Sequence, residues 1–440
     1  MQPSEQPILV FPQYLRSPKA RVFTAQFPSL QSVSVETGRK RRYPGLIGAA
    51  PDTRALYGAA AQLLGSARRV LDLGCGSGIG TAELRCSFDD VTAVDIDPVA
   101  VEFARAYLPS VAVSQHDGSF EGAVPAYDGI CIVDVLGQSA APAALLRTAR
   151  RSLLAAGKLF IAEPRACPSQ ALMPPVVRAF SRPGLEHLLE CAGLTPEAWF
   201  DAAGHFLVCV AQGTADDHFR FLAEADAALA AGQPEAALRA YARLPREASS
   251  ALRTEALLGR ARLFAARGEL EAACQCVLEA AALRPESSRS LAGLAEVALM
   301  TGDATQSLEL AIRALERDPC EVEAVQSLAR AAENLQPGEA FATWRIANGL
   351  APADLDTAIE LSRLAAQRGE VPYAIWVLER LRDFRDDLSS DFHVTLSWLY
   401  LMAERLGDAR LEAQLARVKD PQLDGAVSSG VSELWAQLES

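Results

Sequence analysis

The sequence predicts a two-part chain, a doubly wound α/β unit followed by an all-α solenoid of stacked helix pairs. Three observations carry that prediction. Strand-like apolar runs alternate with helix signals between residues 70 and 211; glycine and proline then recur in a phase of 33 to 34 residues; and charge divides unevenly between the halves. Residues 1–210 hold 19 Lys+Arg and 19 Asp+Glu, while residues 211–440 hold 23 and 36, so the net charge of −13 lies entirely in the second half. A length of 440 residues suits two or three domains, and a hydrophobic content of 50% lets each bury a core.

Residues 1–50 form a proline-rich basic arm, with Arg16, Lys19, Arg21 and the cluster Arg39-Lys40-Arg41-Arg42. Alternation in Arg21-Val-Phe-Thr-Ala-Gln-Phe and Ser32-Val-Ser-Val-Glu predicts two short strands. The arm reads as a solvated extension or as a cap over a site, with Tyr43 or Tyr57 then lining an acceptor pocket. Across residues 51–212 the signals run in order: strand Val70–Leu73, helix Thr81–Arg85, strand Val91–Asp95, helix Pro98–Leu108, strands Val111–Ser114 and Gly129–Asp134, helix Ala141–Leu154, strand Leu159–Glu163, helix Pro183–Cys191 and a closing strand Phe206–Ala211. Ligands of such sheets bind beyond the carboxyl ends of the strands. Asp72, Asp95, Asp117, Asp134 and Glu163 all fall there.

The chemistry concentrates in Val70-Leu-Asp-Leu-Gly-Cys-Gly-Ser-Gly-Ile-Gly80. Gly74, Gly76, Gly78 and Gly80 strip Cβ atoms from one side of a turn, so backbone approaches a ligand and leads it to a helix N-terminus. This is not a dinucleotide fingerprint, because Ile79 and Thr81 stand where its third glycine would fall. Asp72, two residues before the first glycine, would repel a pyrophosphate and suit an ammonium. Asp95 ends the next strand about 20 residues past the glycines, the place of a ribose-binding carboxylate. A strand-end acid is also a common helix cap or turn former, the plain reading for Asp97 and Asp134.

These segments together resemble the class I S-adenosylmethionine-dependent methyltransferases, over roughly residues 51–212. The resemblance implies a Rossmann-like methyltransferase sheet and S-adenosylmethionine as cofactor, with the glycine loop and Asp72 at the methionine end, Asp95 on the ribose and Asp117, in Ser114-Gln-His-Asp-Gly, on the adenine amino group. It matches the fourth motif in Tyr127-Asp-Gly-Ile-Cys-Ile-Val-Asp134-Val-Leu and the fifth region in Leu145 to Pro164. Asp134 and His116 become acceptor-side candidates. Many small-molecule members carry Glu-His where this chain has Gly137-Gln138, so any contact or base those residues supply is absent here. Methyl transfer from a sulfonium can still proceed by aligning the acceptor and excluding water.

After Gly213 the pattern changes. Gly268 to Gly302 and Pro285 to Pro319 are each 34 residues apart, and Pro319 to Pro352 is 33. Small residues hold helix-contact positions: Ala225, Ala237, Ala261, Ala273, Ala280, Ala295, Ala314, Ala347 and Ala374, with Tyr241 in the first unit. This 34-residue helix-turn-helix period resembles the tetratricopeptide repeat, in about six units over residues 215–421, with residues 428–440 carrying a capping helix at Val431 to Leu438. The resemblance implies a groove for a protein or peptide partner, with packing or dimerisation as the structural alternative.

An acidic second half argues against nucleic acid, and without an apolar run of about 18 residues or a signal sequence the chain is expected to be cytoplasmic with no membrane span. Among the nine cysteines the close pair Cys274/Cys276 and the more distant Cys320 make no C-x-x-C or Cys/His metal spacing, so no metal is expected and the thiols read as buried and reduced. His187 reads as a surface residue. The functional expectation is a methyltransferase whose repeats recruit a protein or carrier-bound acceptor. Its alternatives are a small-molecule enzyme with repeats used for assembly, a non-catalytic cofactor-binding scaffold, and, less in keeping with Asp72, an aminopropyl transferase.

Overall fold

A computed structural model describes residues 51–116, 126–139, 141–165, 178, 180–202, 206–382, 384 and 388–420. The basic arm with Tyr43, the adenine-side candidate Asp117 and the terminal 428–440 segment lie outside the described residues.

The described residues of the first half form a seven-stranded sheet with helices on both faces. Helix α1 (Pro51–Leu64) leads into β1 (Arg69–Leu73), α2 (Ile79–Leu84), β2 (Asp90–Asp95), α3 (Pro98–Tyr107), β3 (Ala112–Gln115) and β4 (Tyr127–Val133). Then follow α4 (Pro142–Ser152), β5 (Leu153–Pro164), α5 (Arg182–Cys191), β6 (Leu194–Ala202) and β7 (Phe206–Gly213). The sheet order is β3-β2-β1-β4-β5-β7-β6, parallel through β5 and antiparallel at both contacts of β7. Both faces are covered, which is why these strands read as near-continuous apolar runs. Val70, Cys131, Val133, Phe160, Val208 and Val210 face α1 and α2, while Leu71, Ile130, Ile132, Ile161 and Cys209 face α4 and α5.

Strand β6 departs from the sequence reading, which foresaw one closing strand. Pro196, Glu197 and Asp201 disguise it. At a sheet edge a proline is tolerated, and the register of β6 on β7 shifts between Pro196 and Ala198.

From Phe219 to Lys419 the described chain is helical: α6 (Phe219–Ala230), α7 (Pro234–Ala242), α8 (Ser250–Ala266), α9 (Leu270–Leu283), α10 (Ser288–Met300), α11 (Ala304–Arg317), α12 (Val322–Leu335), α13 (Pro337–Leu350), α14 (Leu355–Gln367), α15 (Val371–Leu381), α16 (Ser390–Met402) and α17 (Leu406–Lys419). Short turns join them into six hairpins, whose first helices from α10 onward begin at Ser288, Val322, Leu355 and Ser390, intervals of 34, 33 and 35 residues. Ala225, Ala237, Ala280, Ala295, Ala314, Ala347 and Ala374 are completely buried, and no larger side chain would fit where these helices meet. Gly232, Gly268, Gly302 and Gly369 close four of the turns at positive φ. In each, the next residue's N–H reaches back to a carbonyl five positions earlier, as Glu269 does to Phe264 at 2.9 Å. No described helix is long and apolar enough to cross a membrane.

Candidate cofactor and acceptor site

Strand order reverses between β1 and β4, so the loops leaving those strands diverge around a crevice. One is the glycine loop. Gly74, Gly76 and Gly78 take φ of +84°, +53° and +87°, conformations that other residues adopt only at a cost of about 1–2 kcal/mol each. Gly74 also needs its lack of a side chain, because a Cβ there would lie 2.3 Å from Val135 Cγ2 on the opposite loop. A Cβ on Gly76 would meet nothing among the described residues within 4 Å, so this glycine faces away from the packed side of the loop.

Asp95, half-buried at the end of β2, ties the loop down. Gly76 N–H donates to its Oδ2 at 2.7 Å and Asp97 N–H to its Oδ1 at 2.9 Å. Asp97 in turn caps α3, accepting from Val99 N–H at 3.0 Å ahead of Pro98. His116 follows β3 beside this corner, its N–H on the Asp95 carbonyl at 2.8 Å.

Asp72 is completely buried beneath the loop. Its Oδ1 accepts from Tyr57 Oη at 2.9 Å and its Oδ2 from Thr81 Oγ1 at 2.5 Å, so both oxygens already join α1, β1 and α2. Burial pushes its carboxyl up to about 7 despite the two hydroxyl donors, with Asp95 adding to the rise. Tyr57 is thus corrected from a pocket-lining residue to a buried brace, 3% exposed, its ring lying where a Cβ on Gly80 would fall.

Across the crevice, Asp134 ends β4 with φ of +57°, one of two non-glycine residues among those described at positive φ. Its N–H donates to the Ala162 carbonyl at 2.8 Å, and Gln138 Nε2 donates to its carbonyl at 2.5 Å. Sequence places Glu163 among the strand-end acids and gives it no role. It is completely buried, with Oε1 accepting from Val135 N–H at 2.9 Å and Leu136 N–H at 2.8 Å, and Oε2 from Gly137 N–H at 3.0 Å. One carboxylate therefore holds the loop that carries Asp134. Burial pushes its carboxyl up to about 8, with Asp134 adding to the rise and the three amides opposing it.

The structure thus brings Gly74, Gly76, Gly78, Asp95, His116 and Asp134 to the carboxyl edge of the sheet and sets Asp72 behind the loop. His187 is corrected from surface to junction, since its ring sits between Cys191 on α5 and Glu255 on α8. Sequence offered no sign of this contact, because Glu255 is 68 residues away.

Residues 46–198 match the family model of a methyltransferase domain, so the chain carries such a domain. Among solved structures, the chain is similar to Burkholderia thailandensis 1,6-didemethyltoxoflavin-N1-methyltransferase, 23% identical, over 39% of this chain and 84% of that one, with a TM-score of 0.32. A TehB-like SAM-dependent methyltransferase of Corynebacterium glutamicum is 21% identical over 36% and 88%, at 0.30. A TPR protein of Thermus thermophilus is 19% identical over 42% and 98%, at 0.35. No curated protein matches the chain.

Proposed function

We propose that the methyltransferase domain of this chain uses S-adenosylmethionine to methylate a protein or carrier-bound acceptor, which a tetratricopeptide-type helical array brings to it. The crevice between the β1 and β4 loops carries this reading, because three left-handed glycines, an open face at Gly76 and the half-buried Asp95 fit an adenosyl-amino acid cofactor. The cofactor supplies an activated methyl group on a sulfonium. Asp95 would receive the ribose hydroxyls, keeping Gly76 N–H on the same carboxylate, and Asp117 the adenine amino group. Asp72 would set the charge and shape of the loop from behind. Val135, held by Glu163, walls the crevice opposite Gly74 and excludes water. Asp134 and His116 stand toward the acceptor, and activity then rests mainly on alignment.

Recruitment is supported by an open, largely apolar cleft between α14 and α16, lined by Ala366, Gln367, Thr395, Trp398, Leu399 and Met402 with Arg363 at its side. A specific observation favours the assembly alternative as well. Part of the array already grips the catalytic unit, through Ser181 Oγ on Asp318 and Arg147 Nε on Asp226 at 2.7 Å. Calorimetric titration of S-adenosylhomocysteine tests the cofactor reading. Asp95→Ala should bind roughly ten- to hundredfold more weakly, the equivalent of one charge-assisted hydrogen bond. Wild-type affinity in a folded Asp95→Ala protein would sink the assignment of that residue.

A further inference from the structure

We propose that the junction between the two units holds a zinc-class divalent cation, ligated by His187, Cys191 and Glu255. His187 and Cys191 lie one turn apart on α5, on the side that meets the helical array, and Glu255 comes from α8. Their ligand atoms lie within 4.8 Å of one another. The two separations at His187 are those of the edges of a tetrahedral zinc site, and the one to Glu255 is longer than a charge-supported hydrogen bond. With Zn–N, Zn–S and Zn–O bonds of about 2.0, 2.3 and 2.0–2.2 Å, a tetrahedral angle places N and S about 3.5 Å apart and N and O about 3.3–3.4 Å apart. Cys191 Sγ is 3.5 Å from His187 Nε2, and His187 Nε2 is 3.3 Å from Glu255 Oε2. A charge-supported N–H···O bond would close to about 2.7–2.9 Å.

The surroundings suit this role. Cys191 is 1% exposed, while the His187 and Glu255 side chains are 15% and 21% exposed, which leaves a solvent side for entry and for a water as fourth ligand. Glu255 would bind through Oε2 alone, because Oε1 takes Arg289 Nη2 at 3.3 Å and lies 3.8 Å from Arg262 Nη1, the outer support expected of a ligating carboxylate. Without a cation the Cys191 thiol donates to the Ala251 carbonyl at 3.9 Å, a long bond that ligation of the thiolate would replace. One imidazole, one thiolate and one carboxylate would balance a divalent charge. The cation would then staple α5 to α8 and fix how the array meets the catalytic unit.

The test uses untagged full-length protein. Equilibrated with Zn2+ and dialysed, the wild type should retain one equivalent, and Co2+ in its place should give the absorption of a tetrahedral thiolate site. Cys191→Ser and His187→Gln should each weaken Zn2+ by at least tenfold with unchanged circular dichroism. Independently of any variant, Zn2+ should raise and a chelator lower the melting temperature of the wild type. No retained equivalent and no effect of either reagent on melting would overturn the proposal, as would full affinity in both variants.

Discussion

At the scale of single residues, two completely buried carboxyls do structural work beside the crevice. Glu163 binds three successive amides of the β4 loop, and Asp72 joins two hydroxyls behind the glycine loop. Both are raised by burial, to about 8 and about 7. A carboxyl raised on folding keeps its proton where the unfolded chain has lost it, so its contribution to stability is greatest below the ordinary carboxyl range and falls as pH rises through the folded value. We predict that unfolding free energy declines between pH 5 and 8, each group contributing up to about 1.4 kcal/mol per pH unit. Glu163→Gln should be less stable at every pH, by roughly 1–3 kcal/mol from a mismatched amide, and should show a shallower decline. Denaturant titration across the range checks this, and parallel curves for the two proteins would contradict it. The place of Asp95 at the end of β2, against the glycine loop, was legible because its spacing from the glycines constrains it. The role of Glu163 was not, because it depends on the register pairing Val133 with Ala162 across two strands.

At the scale of elements, the 34-residue phase was legible because most of the turns take a left-handed residue and the helix contacts take small ones. Five of the six described hairpins close through such a residue, four with glycine and the last with Glu404 at φ +59°. Arg405 N–H reaches the Tyr400 carbonyl at 2.8 Å there, the same bond the glycine turns make. Glu404→Gly should therefore raise stability by about 1 kcal/mol, although glycine usually costs a protein entropy. Thermal unfolding reads the sign, and a loss would contradict the turn assignment. Gly80→Ala should act the other way. Its Cβ would fall 2.0 Å from the Tyr57 ring, and such overpacking costs about 1–3 kcal/mol, with weaker cofactor binding because Tyr57 supports Asp72. Strand β6 escaped the sequence reading for the opposite reason, since an edge strand at a bulge tolerates residues that spoil its pattern.

At the scale of the whole molecule, composition marked the change of architecture near residue 213 but gave no hint that the units dock. The contacts are tertiary and join residues far apart in sequence. Arg147, 5% exposed, reaches Asp226 Oδ2 at 2.7 Å and the Cys191 carbonyl at 3.1 Å. Arg150 bonds the carbonyls of Gly193 and Thr214 at the crossing between units. We predict that Arg147→Ala costs roughly 3 kcal/mol by leaving Asp226 without its cation, and that one calorimetric transition separates into two. An unchanged single transition would mean that the junction does not carry the coupling. A docked array places any acceptor it holds in a fixed relation to the crevice, which links the fold to the proposed reaction.

Methyl transfer to a recruited protein is read by offering S-adenosylmethionine with a labelled methyl group to host-cell extract, with wild type or Asp95→Ala protein, and counting precipitated protein apart from the soluble fraction. Label should appear in protein with the wild type and be lost with the variant. Label confined to the soluble fraction would contradict recruitment of a protein acceptor by the array, and no transfer above the variant in either fraction would contradict the methyltransferase reaction itself.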